Sequence, residues 1–171
     1  KAKLLLKDAW PLIFAGLVVS IYMKIDQVML KEMLNTKAVG VYAAAVKLCE
    51  ALYFLPTVIT ASLYPAIISA KQKSGIIYQQ RLQKLYDLMV WGPVAVSIPI
   101  SLLANWVILT LYGVDFQEAN EVLRIYIWVI VFVSLGLVSS KWLIAENLEI
   151  YLFYRTVLGA VLNIGFNFWL I

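Results

Sequence analysis

"AWPLIFAGLVVSIYMKIDQVML", residues 9–30, decides the fold. A helix crossing a hydrocarbon core about 30 Å thick needs about 20 consecutive apolar residues, and this run is long enough. It nevertheless carries Lys24 and Asp26. A charge at mid-bilayer costs roughly 2.5–3.5 kcal/mol on insertion scales, so charged residues inside a span are seldom idle.

The rest of the chain has the same character. Of 171 residues, 63% are hydrophobic and 14% charged, with 6 Trp, 10 Tyr and 7 Phe. A soluble domain is about half apolar and a quarter charged. This composition belongs to a membrane protein. The net charge of +4 is loop charge and not a nucleic-acid footprint, because Lys and Arg punctuate apolar segments instead of clustering on one face. A single cysteine, Cys49, allows no internal disulfide. The absence of histidine removes His-based catalysis, His metal ligands and His proton relays. No nucleophile elbow, P-loop, catalytic carboxylate pair or Cys/His metal spacing occurs, so neither an enzyme nor a bound organic cofactor is expected. Position 1 is Lys and the chain stops within an apolar run, which reads as a piece of a longer protein.

Five segments are expected to span: 9–30, 38–70, 87–111, 118–145 and 151–171. The fold class is therefore all-α integral membrane. Asp8 is the expected N-cap of the first helix. Pro56 and Pro65 should kink or break the second segment, and Pro93 and Pro99 lie inside the third. Residues 71–86 form an amphipathic connection, with Ile76, Ile77, Leu82, Leu85 and Tyr86 between basic residues. It reads as a surface helix on the membrane, or else as a regulatory docking site. If each segment crosses once, Lys1, Lys3, Lys7, Lys71, Lys73, Arg81 and Lys84 share one side. The other side carries Lys31, Lys37 and the acidic "YGVDFQEANE". The positive-inside rule then makes the N-terminus and residues 71–84 cytoplasmic. The fifth helix ends outside, and a sixth would be needed to return.

Four charges fall in the first two spans: Lys24, Asp26, Lys47 and Glu50. Antiparallel helices folded about Asn35-Thr36 place Asp26 and Lys47 within about 1.5 Å of one depth, so an ion pair between them is sterically reasonable. Lys47 and Glu50, spaced i, i+3, share a face. Lys24 and Asp26, two apart, do not. These charges serve as internal ion pairs that lock a bundle, or they line a water-filled cavity. Tyr22, at i−4 from Asp26, is a further partner for that carboxylate. On the last segment Gly159, Asn163 and Asn167 recur every fourth residue and form one small, polar stripe. Such a stripe packs helices through amide hydrogen bonds. Alternatively it gives oxygen ligands to a hard cation, with Asp26 as the charge partner.

"MKIDQVMLKEMLNTKAVGVYAAAVKLCEALYFLPTVITASLYPAI" resembles the oligosaccharide flippases of the polysaccharide biosynthesis family. These belong to the multidrug/oligosaccharidyl-lipid/polysaccharide exporter superfamily. "LTLYGVDFQEANEVLRI" and "LGAVLNIGFNFWLI" add to the resemblance, which is to the second half of such a transporter. It implies two six-helix lobes around a central cavity, with this chain supplying five helices of one lobe. It implies a bacterial inner-membrane protein that flips undecaprenyl-pyrophosphate-linked oligosaccharide repeat units. Lys47, then Lys24, match the cations that attract the pyrophosphate in relatives. Asp26, Asn163 and Asn167 stand where some relatives hold Na⁺, although one position that is acidic there is an amide here. Proton coupling through Asp26 or Glu50 is the other option. The expected partners are lipid-linked oligosaccharide, membrane lipids and other polysaccharide-assembly membrane proteins.

Two rivals remain. A multidrug/cation antiporter of the same superfamily would favour an acidic cavity, and the charges here are mixed. A membrane-embedded glycan polymerase or glycosyltransferase would want large external loops bearing catalytic acids or arginines, and these loops are short.

Overall fold

The computed structural model describes the backbone of residues 2–33 and 35–170; the side chains of 2–9, 11, 22, 23 and 170 lie outside the described residues. The described chain is helical throughout and has no strand, so the fold is an all-α membrane protein. The helices are α1 (Ala2–Met33), α2 (Thr36–Leu52), α3 (Phe54–Lys73), α4 (Gly75–Leu102) and α5 (Ala104–Tyr112). After a 3₁₀ turn (Val114–Phe116) come α6 (Ala119–Tyr126), α7 (Val129–Ala145) and α8 (Glu149–Leu170). The chain divides into two compact units, Lys1–Gly40 with Leu143–Ile171, and Val41–Trp142.

Several boundaries differ from the sequence expectation, each for a local reason. α1 runs through Asp8 from Ala2, so Asp8 does not start the helix; "AKLLLK" consists of strong helix formers. The turn between α1 and α2 falls where expected. Asn35 Oδ1 accepts from the Ala38 N–H at 2.9 Å, capping α2. The second span extends from Thr36 to Lys73 and breaks at Tyr53, three residues before Pro56. Proline has no N–H and its ring crowds the carbonyl four residues earlier, so the helix restarts with Pro56 in its first turn. Pro65 is accommodated inside α3.

Residues 71–86 are not a separate amphipathic segment. Ser74 alone turns the chain, and 75–86 form the first half of α4. The apolar face of this stretch packs inside the unit. Tyr78, Leu85 and Met89 are buried with Ile67 and Ala70 of α3 and Val138 of α7. Of the apolar residues in that pattern, Leu82, Leu85 and Tyr86 pack in this cluster, while Ile76 and Ile77 stay exposed.

Four described stretches are long and apolar enough to cross a membrane: Leu12–Met33, Thr36–Lys73, Gly75–Leu102 and Ala119–Ala145. α8, expected as the fifth, is long enough but does not join them. Glu149, Arg155, Asn163 and Asn167 dilute its apolar character.

The fourth stretch is interrupted at Ile127-Trp128, where α6 gives way to α7. Backbone carbonyls freed at such a break need partners when no water is at hand. α4 supplies two hydroxyls. Ser101 Oγ donates to the Arg124 carbonyl at 3.0 Å, and the fully buried Ser97 Oγ donates at 3.3 Å to the Ile127 carbonyl, which also accepts from the Ile130 N–H at 3.2 Å. Hydrogen bonds between membrane helices average about 0.6 kcal/mol and reach about 1.7 kcal/mol. Ser97→Ala in the full-length protein is expected to lose an amount in that range, and the more exposed Ser101→Ala less. Unfolding of the purified protein in mixed micelles would measure both, and a neutral Ser97→Ala would show that the break needs no support from α4.

Candidate functional site

α1 and α8 lie against each other in one unit. Trp10 meets Phe153 with ring centroids 5.5 Å apart, and further along both helices Asp26 meets Asn167. Residue numbers rise together, so the two helices run parallel, the sense expected of a first and a fifth crossing. Asn167 Nδ2 donates to Asp26 Oδ1 at 2.7 Å in a half-buried contact that joins residues 141 positions apart. Asn163 lies one turn before Asn167 on the same helix face. Its Oδ1 is buried and has no hydrogen-bond partner among the described residues. A carbonyl oxygen left in that state costs about 1–3 kcal/mol.

The structure therefore brings Asp26 and Asn167 into contact. Gly159, the third member of the stripe, is exposed, and a Cβ built there meets no atom within 4 Å. Close backbone packing is not its role. Asp26 oxygens and the Asn163 Oδ1 are the donor type that Na⁺ takes. Among the described residues no three His, Cys, Asp or Glu side chains form a metal-binding group. A cation here would rest on one carboxylate and neutral oxygens. Lys24 is exposed and Asp26 half-buried, which agrees with their pointing in different directions. The side chain of Tyr22, the suggested partner of Asp26, lies outside the described residues.

On α2 the buried stripe is Val41, Ala44, Ala45 and Cys49, packed against α5 and α6. Helical geometry places Lys47 and Glu50 on the opposite face, Lys47 exposed and Glu50 half-buried. Lys47 is thus free of the packing that holds α2. Asp26 belongs to one unit and Lys47 to the other.

Sequence reasoning missed several contacts in the second unit. Tyr64 donates its hydroxyl to the Lys141 carbonyl at 3.2 Å, while Lys141 Nζ lies 5.4 Å from the centre of the Tyr64 ring. By sequence alone, a lysine late in an apolar helix reads as one that snorkels to the interface. An aromatic residue on the neighbouring helix was the available signal.

No curated protein and no solved structure matches this chain. Residues 2–71, from α1 almost to the end of α3, match the family model described as polysaccharide biosynthesis protein. That stretch contains Lys24, Asp26, Lys47 and Glu50, so all four charges of the first two spans lie within the part of this multi-pass membrane protein that is similar to polysaccharide biosynthesis proteins.

Proposed function

We propose that the chain is part of a transporter of the polysaccharide biosynthesis family, located in the bacterial inner membrane with the N-terminus and residues 71–84 cytoplasmic. It flips undecaprenyl-pyrophosphate-linked oligosaccharide repeat units by alternating access, driven by an ion gradient or the membrane potential. Lys47 and Lys24 attract the pyrophosphate. Ammonium groups suit this task because they pair with phosphate as strongly hydrated point charges. Asp26, with Asn163 and Asn167, holds the coupling ion, Na⁺ or H⁺, and Glu50 is the second carboxylate available for a proton. An ion that binds one conformation more tightly than the other shifts the equilibrium between them.

The observation that carries this reading is the α1–α8 contact. A carboxylate within a span is hydrogen-bonded to one amide, and one turn earlier on the same helix lies a second amide whose buried oxygen has no partner among the described residues. The match of residues 2–71 supports the polysaccharide setting.

Lys47→Ala in the full-length protein tests the substrate half. Surface polysaccharide is expected to disappear while the protein inserts at normal abundance. Normal polysaccharide at normal abundance would overturn it, and acquired dependence on Lys47 for efflux of cationic dyes would point to the antiporter instead.

A further inference from the structure

We propose that the first half of α4 binds an anionic phospholipid of the surrounding bilayer. The residues are Ile77, Arg81, Lys84, Leu88 and Trp91, spaced four, three, four and three apart, so they form one continuous flank of the helix. All five are exposed: Ile77 at 43%, Leu88 at 44% and Trp91 at 70%, with both cations open as well. The flank differs from the face that holds the unit together, where Tyr78, Leu85 and Met89 are buried. It also differs from the other flank, where Gln79, Gln80 and Gln83 line a shallow groove without a cation.

Charge and depth select the occupant. From residue 51 to residue 86 the chain has no acidic residue, and it has Lys71, Lys73, Arg81 and Lys84. The nearest acid on α4, Asp87, accepts a hydrogen bond from Gln83 at 2.8 Å. Arg81 is partly oriented already: its Nη1 donates to the Ala66 carbonyl of α3 at 2.8 Å. A guanidinium has five N–H donors, so four remain for a phosphate. From Arg81 to Trp91 the helix rises about 15 Å, roughly half the hydrocarbon thickness. With Arg81 and Lys84 at headgroup level, Leu88 and Trp91 lie beside the acyl chains. A soluble phosphate would use only the two cations. A phospholipid uses the cations together with Leu88 and Trp91.

Quenching of Trp91 by brominated lipid tests the proposal. The full-length protein is placed in phosphatidylcholine vesicles containing dibrominated phosphatidylglycerol, or dibrominated phosphatidylcholine at the same mole fraction. The phosphatidylglycerol is expected to quench more strongly, and the excess should vanish in Trp91→Phe. A basic residue near an anionic surface is worth about 1 kcal/mol, so the phosphatidylglycerol fraction giving half of the excess should rise about fivefold in Arg81→Gln and in Lys84→Gln. Lys84→Gln carries the test if the loss of the Arg81–Ala66 bond disturbs folding. Lys73→Gln, off the stripe at the end of α3, should shift it less than about twofold. Equal quenching by the two lipids would overturn the proposal. An effect of Lys73→Gln as large as that of Lys84→Gln would do the same, since it would show general surface charge and not a site.

Discussion

Asp26→Ala in the full-length protein is expected to lower polysaccharide export about 5- to 150-fold, the range of a coupling free energy of 1–3 kcal/mol. Two functions of Asp26 must be separated, its charge and its hydrogen bond to Asn167. Asp26→Asn keeps an oxygen that accepts from Asn167 Nδ2 and removes the charge. It should be as defective as Asp26→Ala if the carboxylate holds the coupling ion. Asn167→Ala keeps the charge and removes the bond, and a milder loss is expected. Wild-type export by Asp26→Asn would leave Asp26 with a packing role alone.

Asn163 allows a check that does not depend on export. Its buried oxygen has no partner among the described residues, so Asn163→Leu should make the protein more stable by about 1–3 kcal/mol when no cation is bound. A ligand that binds only the folded protein stabilises it by RT ln(1 + [L]/Kd). If Na⁺ is the coupling ion, raising NaCl in exchange for KCl should raise the unfolding midpoint of the wild type and leave Asn163→Leu and Asp26→Asn unchanged. Equal responses in all three proteins would remove Na⁺ and leave H⁺ as the coupling ion.

The parts of this site that were legible in the sequence are those for which the membrane makes residue type informative. Asp26 and Asn167 stand out because polar groups inside a span need partners. Helical spacing then puts Asn163 and Asn167 on one face. Gly159 carries the same spacing and yet is exposed, because periodicity assigns a face but not the length of the contact along it. Ser97 and Ser101 were invisible for another reason. Ser20, Ser134, Ser140 and Thr156 bond the carbonyl four residues back in their own helices. Ser97 and Ser101 bond the backbone of another helix. The side chains are chemically alike, and only the break at Ile127-Trp128 separates the two uses. The continuity of residues 75–86 with α4 was not legible, because an amphipathic helix has the same period whether its apolar face meets lipid or protein.

Ala45→Leu is the substitution expected to damage the fold most. In the cluster joining α2, α5 and α6, the small residues Ala45, Cys49, Ala104 and Ala119 are fully buried beside Ile108, Leu123 and Ile127. Apolar side chains gain little by leaving lipid for protein, so helices in a membrane associate through close packing, and small residues let their backbones approach. Three extra carbons at Ala45 must displace α5 or α6. Overpacking of this kind costs about 1–3 kcal/mol and occasionally more. Lys47, two residues on, lies off this face. The pair therefore separates structure from transport on one helix. Ala45→Leu should lower the unfolding midpoint and the amount of protein in the membrane. Lys47→Ala should leave both unchanged and still stop export. An Ala45→Leu protein as stable as the wild type would mean that α2 is not held by this cluster, and the free face assigned to Lys47 would have to be drawn again.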